Sequence, residues 1–190
     1  MIYESIGGWF QYEDIYRQAV ENGKDGDVFV EVGTFLGRSA AFMAEHIKLS
    51  GKKIKFYTLD NHAFYSQMTD HERQQNNVSG AFEYTVEDVR KNLSPLKGYV
   101  EIVVGNSWDG IPGVEKCDFC WVDASHEYEA CKKDLAYWLP RAKVIGGDDY
   151  GFEGVNRAVN ELAKGFELIE SSQNRGQYLW ILNPNPYYRD

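Results

Sequence analysis

Short apolar runs alternate with amphipathic stretches along the chain, and this pattern predicts strands alternating with helices. The first run, residues 28–33, is rich in β-branched and aromatic side chains, which is typical of a buried strand. Residues 37–46 follow with a helical spacing of Ala, Met and Phe. The glycines Gly33 and Gly37 lie in the turn between the two. Strand, glycine turn and helix therefore form half of a βαβ unit.

The remaining apolar runs repeat this order and define the fold class. Further strands are predicted at 55–61, 99–104, 117–123 and 142–150, further helices at 9–22, 81–93, 126–139 and 154–164, and a final hairpin at 166–170 and 177–182. We expect Ser125 to cap the helix at 126–139. The order predicts an α/β fold that is Rossmann-like and doubly wound, with a mostly parallel seven-stranded sheet and a C-terminal antiparallel hairpin.

The same pattern predicts one domain over residues 1–190. Residues 1–27 would form an N-terminal helical cover. Residues 62–80 are polar, with little hydrophobic periodicity, and are longer than a usual connection. They would form either a lid or substrate loop, or a solvated surface excursion.

Composition narrows the class of partner. The formal net charge of −9 argues against nucleic acid or an anionic membrane as the main partner, because both favour a basic surface. A small molecule is the better expectation. The sequence shows neither a secretory leader nor an apolar stretch long enough to span a bilayer, so we expect a soluble, cytoplasmic protein.

Three cysteines raise the question of redox or zinc chemistry. Cys117 and Cys120 form a Cys-x-x-Cys within a predicted strand, and Cys131 falls in a predicted helix. No second pair is present to complete a zinc site. Core packing is therefore the favoured interpretation.

The glycine turn is the first candidate ligand site. Gly33 and Gly37 allow a sharp turn and close approach to the backbone, and the helix that follows offers unpaired N–H groups to an anion. The Gly-x-x-x-Gly spacing lacks the middle glycine of the dinucleotide fingerprint, and no Gly-Lys-Ser/Thr follows. A nicotinamide or nucleoside triphosphate is thus disfavoured. The alternative is an ordinary βα turn.

Carboxylates at the ends of predicted strands form the second candidate site. Asp60 ends the second strand, where such folds often hold ribose hydroxyls. Asp123, Asp148 and Asp149 end the fourth and fifth strands and should converge at one rim. Carboxylates packed together need water, a proton or a cation, and oxygen ligands suit Mg²⁺, Mn²⁺ or Ca²⁺. Helix capping could account for one of the last two acids.

His126 lies three residues after Asp123, so both side chains can face one cleft. A neutral imidazole there can accept a proton near neutral pH. A lone histidine is more often a capping or packing residue, but its position beside the acids favours catalysis.

These segments together resemble a known family. The motifs are VEVGTFLGRS at 30–39, WVDASHEYEA at 121–130, GGDDY at 146–150 and GVNRAV at 154–159. In this order they are similar to class I S-adenosylmethionine-dependent O-methyltransferases, in particular the branch of the macrocin, mycinamicin and novobiocin O-methyltransferases.

The resemblance implies a role for each matching position. Acids corresponding to Asp123, Asp148 and Asp149 hold Mg²⁺ in metal-dependent relatives, and Asp123 and His126 would be catalytic. Catechol enzymes have an amide at the last of these positions and a lysine in place of His126. The donor would be bound at its amino-acid end by Glu31, Gly33 and Ser39, at its ribose by Asp60, and at its adenine by Ser107 with Trp108 or Ala124. Phe35 would be a further donor-binding residue.

The expected function is therefore S-adenosylmethionine-dependent O-methyl transfer to a small hydroxylated molecule, a sugar or a phenol, with the help of a divalent cation. Two alternatives stay open. One is a metal-dependent hydrolase or hydroxylase that uses the acids without a methyl donor. The other is a non-catalytic nucleoside-binding regulatory protein. Neither the acceptor nor the oligomeric state follows from the sequence.

Overall fold

A computed structural model describes residues 1–62 and 84–189 of the chain. Within this part, one sheet of seven strands has the order β3-β2-β1-β4-β5-β7-β6. Strands β1 to β5 are parallel, and β7 runs antiparallel to both β5 and β6. The strands are β1 Val28–Val32, β2 Lys55–Asp60, β3 Glu101–Val104, β4 Cys117–Val122, β5 Ala142–Gly147, β6 Glu167–Glu170 and β7 Tyr178–Leu182. The predicted fold class and hairpin are confirmed.

The helices of the described part fall where the sequence predicts them, with different ends. They are α1 Glu13–Asn22, α2 Arg38–Ser50, α3 Val86–Leu93, α4 Tyr128–Trp138 and α5 Glu153–Leu162. Helix α3 has a capping box, in which Thr85 Oγ1 accepts from Asp88 N and Asp88 Oδ2 accepts from Thr85 N. The predicted lid at 62–80 falls, apart from His62, outside the described residues.

Helix α4 begins later than the sequence predicts. It starts at Tyr128 with Glu127 as N-cap, and Ser125 provides no cap but accepts a hydrogen bond from Glu127 N at 3.2 Å. The prediction of a helix from residue 126 is therefore wrong. The reason is tertiary, because a Cβ at Gly154 would lie 2.1 Å from His126 O. The backbone before α4 thus runs directly against the first turn of α5.

The two faces of the sheet are covered by separate apolar clusters. Phe29 of β1 packs in the cluster with α1 and α2, whereas its neighbour Val30 packs in the cluster with α4 and α5. Trp121 and Trp138, one in each cluster, are fully buried. All three cysteines are free and buried, which confirms core packing. In the described part of the chain, no helix has the length and apolar character needed to cross a bilayer.

The N-terminal segment lies on α2. Ile2 N donates to Glu45 Oε1 at 2.7 Å, and α1 packs beside α2. Helix α1 begins at Glu13 rather than at Trp9. Residues 8–12 are consequently non-helical, and they run along the carboxyl ends of the parallel strands.

Candidate functional site

A cleft of about 790 Å³ opens at the carboxyl ends of the parallel strands. Ligands of doubly wound sheets bind at this edge, because the strand ends and helix N-termini meet there. Almost all the site residues predicted from the sequence line it. They are Gly33, Phe35, Ser39, Asp60, Ser107, Trp108, Asp123, Ala124, His126, Asp148 and Asp149.

The glycine turn after β1 lies in direct contact with the turn after β4. Gly33 has φ +98°, and a Cβ at this position would lie 1.8 Å from the carbonyl oxygen of Asp123. Gly33 N donates to Leu59 O at 2.8 Å. Only glycine fits here, so the predicted donor turn and the predicted acid cluster are one continuous surface.

Asp60 fixes the shape of this turn. Its Oδ2 accepts from Thr34 N and Phe35 N, each at 3.0 Å, and its Oδ1 accepts from His62 N at 2.7 Å. Phe35 has φ +49°, a left-handed conformation that a bulky residue adopts only when its surroundings enforce it. Asp60 therefore organises the turn in addition to facing the cleft.

Glu31 lies behind the cleft and does not line it. It is fully buried and accepts hydrogen bonds from Tyr16 Oη and Thr58 Oγ1, both at 2.7 Å. Burial raises the pKa of the Glu31 carboxyl to about 7, and the hydrogen bonds from Thr58, Ser39 and Tyr16 partly oppose this shift. Glu31 thus contacts the cleft through Ser39.

Asp134 is a site residue that sequence analysis missed. It lies on α4 with only 3% of its surface exposed, lines the cleft, and accepts a hydrogen bond from Ser107 Oγ. Burial raises the pKa of its carboxyl to about 6. The signal in the sequence is an acid among apolar positions of helical spacing, between Cys131 and Leu135 and ahead of Trp138.

The three predicted metal-ligating acids do converge. Asp123 follows β4, Asp148 and Asp149 follow β5, and one ligand atom of each lies within 4.8 Å of the other two. Burial, then repulsion from Asp149 and Asp148, raises the pKa of Asp123 well above its ordinary value. Burial and repulsion from Asp149 raise that of Asp148 to about 6. The cluster is thus a concentration of unfavourable negative charge.

Each acid of the cluster accepts one side-chain donor. Tyr12 Oη donates to Asp123 Oδ2 at 2.7 Å, and Gln11 Nε2 contacts Asp148 Oδ1 and Oδ2 at 3.2 and 3.1 Å. Sequence analysis did not single out Gln11 or Tyr12. They lie in a segment rich in aromatic residues, and its sequence does not show which strand ends it will contact in the fold.

His126 is the third partner of the cluster. Its Nε2 lies 2.8 Å from Asp149 Oδ2, and its ring stacks on Phe152 with centroids 4.1 Å apart. The side chain is one third exposed, at 33%, and lines the cleft. Sequence proximity to Asp123 correctly placed His126 at the acids, although the partner is Asp149.

The cluster fits a hard divalent cation. Its donor set consists of carboxylate oxygens, which such cations prefer, and its mutual repulsion is what a cation would relieve. In the described part of the chain, Oδ1 of Asp123 and Oδ1 of Asp149 accept no hydrogen bond, so both can serve as ligands.

Comparison with known proteins bears on the family and the fold of the chain. No curated protein matches the sequence significantly. Among solved structures, the O-methyltransferase NovP matches 91% of this chain and 79% of its own, with TM-score 0.68 and 18% identity. A SAM-dependent O-methyltransferase from Thermotoga maritima matches 95% of this chain and 69% of its own, with TM-score 0.60 and 12% identity.

A third solved structure is similar over a smaller share of its own length. TrmN from Thermus thermophilus matches 90% of this chain and 48% of its own, with TM-score 0.58 and 13% identity. At these identities the likeness shows the fold. The family is shown by the sequence itself, since the model of the methyltransferase domain matches residues 30–150. The chain therefore belongs to the methyltransferase domain family and is an S-adenosylmethionine-dependent methyltransferase.

Proposed function

We propose that this methyltransferase transfers the methyl group to an oxygen of a small hydroxylated molecule, a sugar or a phenol, and that a divalent cation assists it. One observation carries the proposal: the acid cluster, with His126 beside it, directly adjoins the turn predicted to bind the donor. A Cβ added to Gly33 would lie 1.8 Å from Asp123 O, which shows how close the donor turn is to the acid cluster. The net charge of −9 disfavours a nucleic-acid acceptor.

The donor would extend along the cleft from the acids to α4. Gly33, Phe35 and Ser39 would enclose its amino-acid end, with Glu31 behind them. Asp60 would accept from the ribose hydroxyls at Oδ1, where its three backbone donors leave one of about four lone pairs open. Ser107, Trp108 and Ala124 would border the adenine. All of these except Glu31 line the cleft.

Asp123, Asp148 and Asp149 would hold Mg²⁺, or Mn²⁺ or Ca²⁺ in its place. A cation bound there stabilises a negatively charged oxygen and so lowers the pKa of the acceptor hydroxyl. Asp149 would orient the imidazole of His126 by accepting a hydrogen bond from Nε2 at 2.8 Å, and the other ring nitrogen, Nδ1, would then be the proton acceptor.

The chemical step is an in-line displacement. The acceptor oxygen forms a bond to the methyl carbon while the carbon–sulfur bond breaks, and S-adenosylhomocysteine leaves with both bonding electrons. The hydroxyl proton goes to His126. The contribution of the protein is to align these atoms and to keep the charged groups in a partly buried site.

Thermal unfolding tests cation and donor without knowledge of the acceptor. A cation that binds the folded cluster stabilises it by RT ln(1 + [L]/Kd), roughly 2.7 kcal/mol at a concentration about 100 times Kd. We expect Mg²⁺, Mn²⁺ or Ca²⁺ to raise the melting temperature, and the double variant Asp123→Asn, Asp149→Asn to lose this response. The control is the double variant Glu129→Gln, Glu167→Gln, which removes the same number of negative charges from exposed positions. Its melting temperature should still rise with the cation.

The outcomes separate the functional classes. Stabilisation by S-adenosylhomocysteine but by no cation would contradict the metal-assisted mechanism. It would favour either metal-free proton abstraction by His126 or a non-catalytic nucleoside-binding protein. Stabilisation by a cation but not by S-adenosylhomocysteine would favour a metal-dependent hydrolase or hydroxylase.

The role of His126 has its own test. With an active acceptor, His126→Ala should lower the methylation rate roughly 10²–10⁴-fold, because the proton acceptor is lost. The affinity for S-adenosylhomocysteine, measured by calorimetry, should not change. His46→Gln is the matched control, since His46 lies on α2 against Phe42, and its turnover should stay normal. Normal turnover in His126→Ala would reduce His126 to a packing residue.

A further inference from the structure

Residues 8–12, the strap, connect the donor turn to the acid cluster. Four residues of the strap, Gly8, Trp9, Phe10 and Gln11, line the cleft. It has no helical structure, although α1 begins immediately after it at Glu13. Its conformation is therefore set by contacts to other parts of the chain.

One end of the strap is attached to the donor turn. Arg38, the first residue of α2, donates from Nη1 to Gly8 O at 3.2 Å. The indole of Trp9 stacks on Phe35, with centroids 5.7 Å apart and ring planes at 30°. Trp9 is nevertheless 69% exposed, so this stacking is a contact with the donor turn rather than a part of the core.

The other end of the strap holds the acids. Tyr12 is 2% exposed and donates to Asp123, and Gln11 is 9% exposed and donates to both oxygens of Asp148. The orientation of the Gln11 amide is fixed from behind, because its Oε1 accepts from Asn174 Nδ2 at 2.7 Å. Its backbone O accepts from Ser171 Oγ at 3.1 Å. Both donors are therefore rigidly placed.

We propose that Gln11 and Tyr12 are positioning residues that hold Asp148 and Asp123 ready for the cation, and that the strap couples cation binding to donor binding. This inference rests on the proposed cation-dependent function. Each donor fixes the rotamer of one carboxylate, and neither supplies a ligand itself. Partners of this kind usually change metal affinity 10–100-fold.

The coupling follows from the shared segment. A donor that settles against Phe35 and Arg38 restricts Gly8 and Trp9, and the restriction extends two or three residues along the backbone to Gln11 and Tyr12. The cation then has to restrict Gln11 and Tyr12 less when it binds, so it loses less binding free energy to their ordering. Because coupling between two sites is reciprocal, the cation must strengthen donor binding by the same factor.

Calorimetric titration of Mn²⁺, with and without S-adenosylhomocysteine, tests the proposal. In the unmodified protein we expect S-adenosylhomocysteine to lower the Kd for Mn²⁺ at least about 5-fold. Tyr12→Phe removes only a hydroxyl, and Gln11→Leu replaces the amide by methyl groups of similar volume that cannot hydrogen-bond to Asp148 or Asn174. Each should weaken Mn²⁺ binding about 10-fold and reduce the coupling factor toward one.

Tyr16→Phe is the matched control in the titration without S-adenosylhomocysteine. It removes an equally buried hydroxyl from the next turn of chain, but that hydroxyl donates to Glu31 and not to the acid cluster. Its Mn²⁺ affinity should stay within about twofold of the unmodified protein. A single cooperative thermal transition, followed by circular dichroism in the presence of a chelator, shows that each variant is folded.

The outcomes distinguish this inference from the function on which it rests. If the unmodified protein binds Mn²⁺ but Tyr12→Phe and Gln11→Leu bind it equally well, the positioning role is overturned and the proposed function stands. Equal weakening in Tyr16→Phe would likewise overturn it, as a general effect of lost hydroxyls. If the unmodified protein binds no cation with or without S-adenosylhomocysteine, both proposals fall. Should Tyr12→Phe fail to fold, Gln11→Leu decides alone.

Discussion

Asp134 shows at the scale of a single residue how the cleft departs from an ordinary protein interior. Its carboxylate is buried on α4, and Ser107 is its hydrogen-bond partner. Desolvation is the main cause of its raised pKa, and the hydrogen bond from Ser107 partly opposes the shift. Such a group destabilises the fold whenever it is ionised, which is typical of functional sites.

This leads to a pH-dependent prediction for Asp134→Asn. The carboxyl ionises near 3.8 in the unfolded chain and at about 6 in the fold, so the folded state binds more protons between these values. Stability is therefore lost as pH rises through this window and stays reduced above it. Asn keeps an acceptor for Ser107 without the charge. We expect the variant to be more stable by about 2–3 kcal/mol near pH 8.

Urea unfolding at a series of pH values measures this difference. The advantage of Asp134→Asn should shrink as pH falls from about 6 toward about 4, where Asp134 is protonated in both states. Glu129→Gln, an exposed position on the same helix, should show no such trend. An advantage that does not change with pH would mean that ionisation of Asp134 is not the cause.

Asp60 shows what a residue-level prediction can and cannot contain. Its place at the end of β2 followed from the sequence, as did its position in the cleft. Its bonds to Thr34, Phe35 and His62 did not, because the turn after β1 meets the end of β2 only in the folded sheet. The ribose-binding role of Asp60 stays a prediction.

At the scale of elements, the turn between β1 and α2 is the one that positions the site. Gly33 in this turn was predicted to allow close approach of a ligand. In the structure, the turn after β4 also approaches Gly33 closely. A Cβ on Gly33 would overlap the carbonyl of Asp123, whereas a Cβ on Gly26 would meet no atom within 4 Å. Both glycines have positive φ, at +98° and +94°.

The two glycines therefore form a matched pair for mutation. Gly26→Ala should cost about 1–2 kcal/mol of unfolding free energy, the penalty for a left-handed L-residue. Gly33→Ala should cost on the order of 4 kcal/mol, because the turn after β4 must also move. Only Gly33→Ala should weaken binding of S-adenosylhomocysteine. Equal losses in urea unfolding would show that the contact with Asp123 relaxes at little cost.

The start of α4 illustrates the limit of local pattern. The side chains of residues 126–127 are compatible with a helix, so a prediction from the local sequence includes both residues in α4. The close approach of Gly154 to His126 O keeps both residues out of the helix, and Glu127 is extended. This non-helical backbone leaves His126 beside Asp149 and stacked on Phe152.

At the scale of the whole molecule, the strand order explains why the acids meet. Strands β4 and β5 are neighbours in the sheet and parallel, so the residues that follow them emerge side by side. The sequence predicted this because strands joined by a helix are usually adjacent and right-handed in connection. The single-domain organisation with an N-terminal cover stays a prediction.

The sequence by itself determined the fold class, the seven strands, the hairpin and the strand-end residues that line the cleft. These depend on local periodicity, on glycine and on the rule that parallel strands end at one edge, all of which are properties of short segments. Only the tertiary structure decided that Gln11 and Tyr12 would hold the acids, that Asp134 would face Ser107, and that Glu31 would lie behind the cleft. Contacts between residues more than a hundred positions apart, such as Tyr12 with Asp123, depend on how whole elements pack, and no local pattern records them.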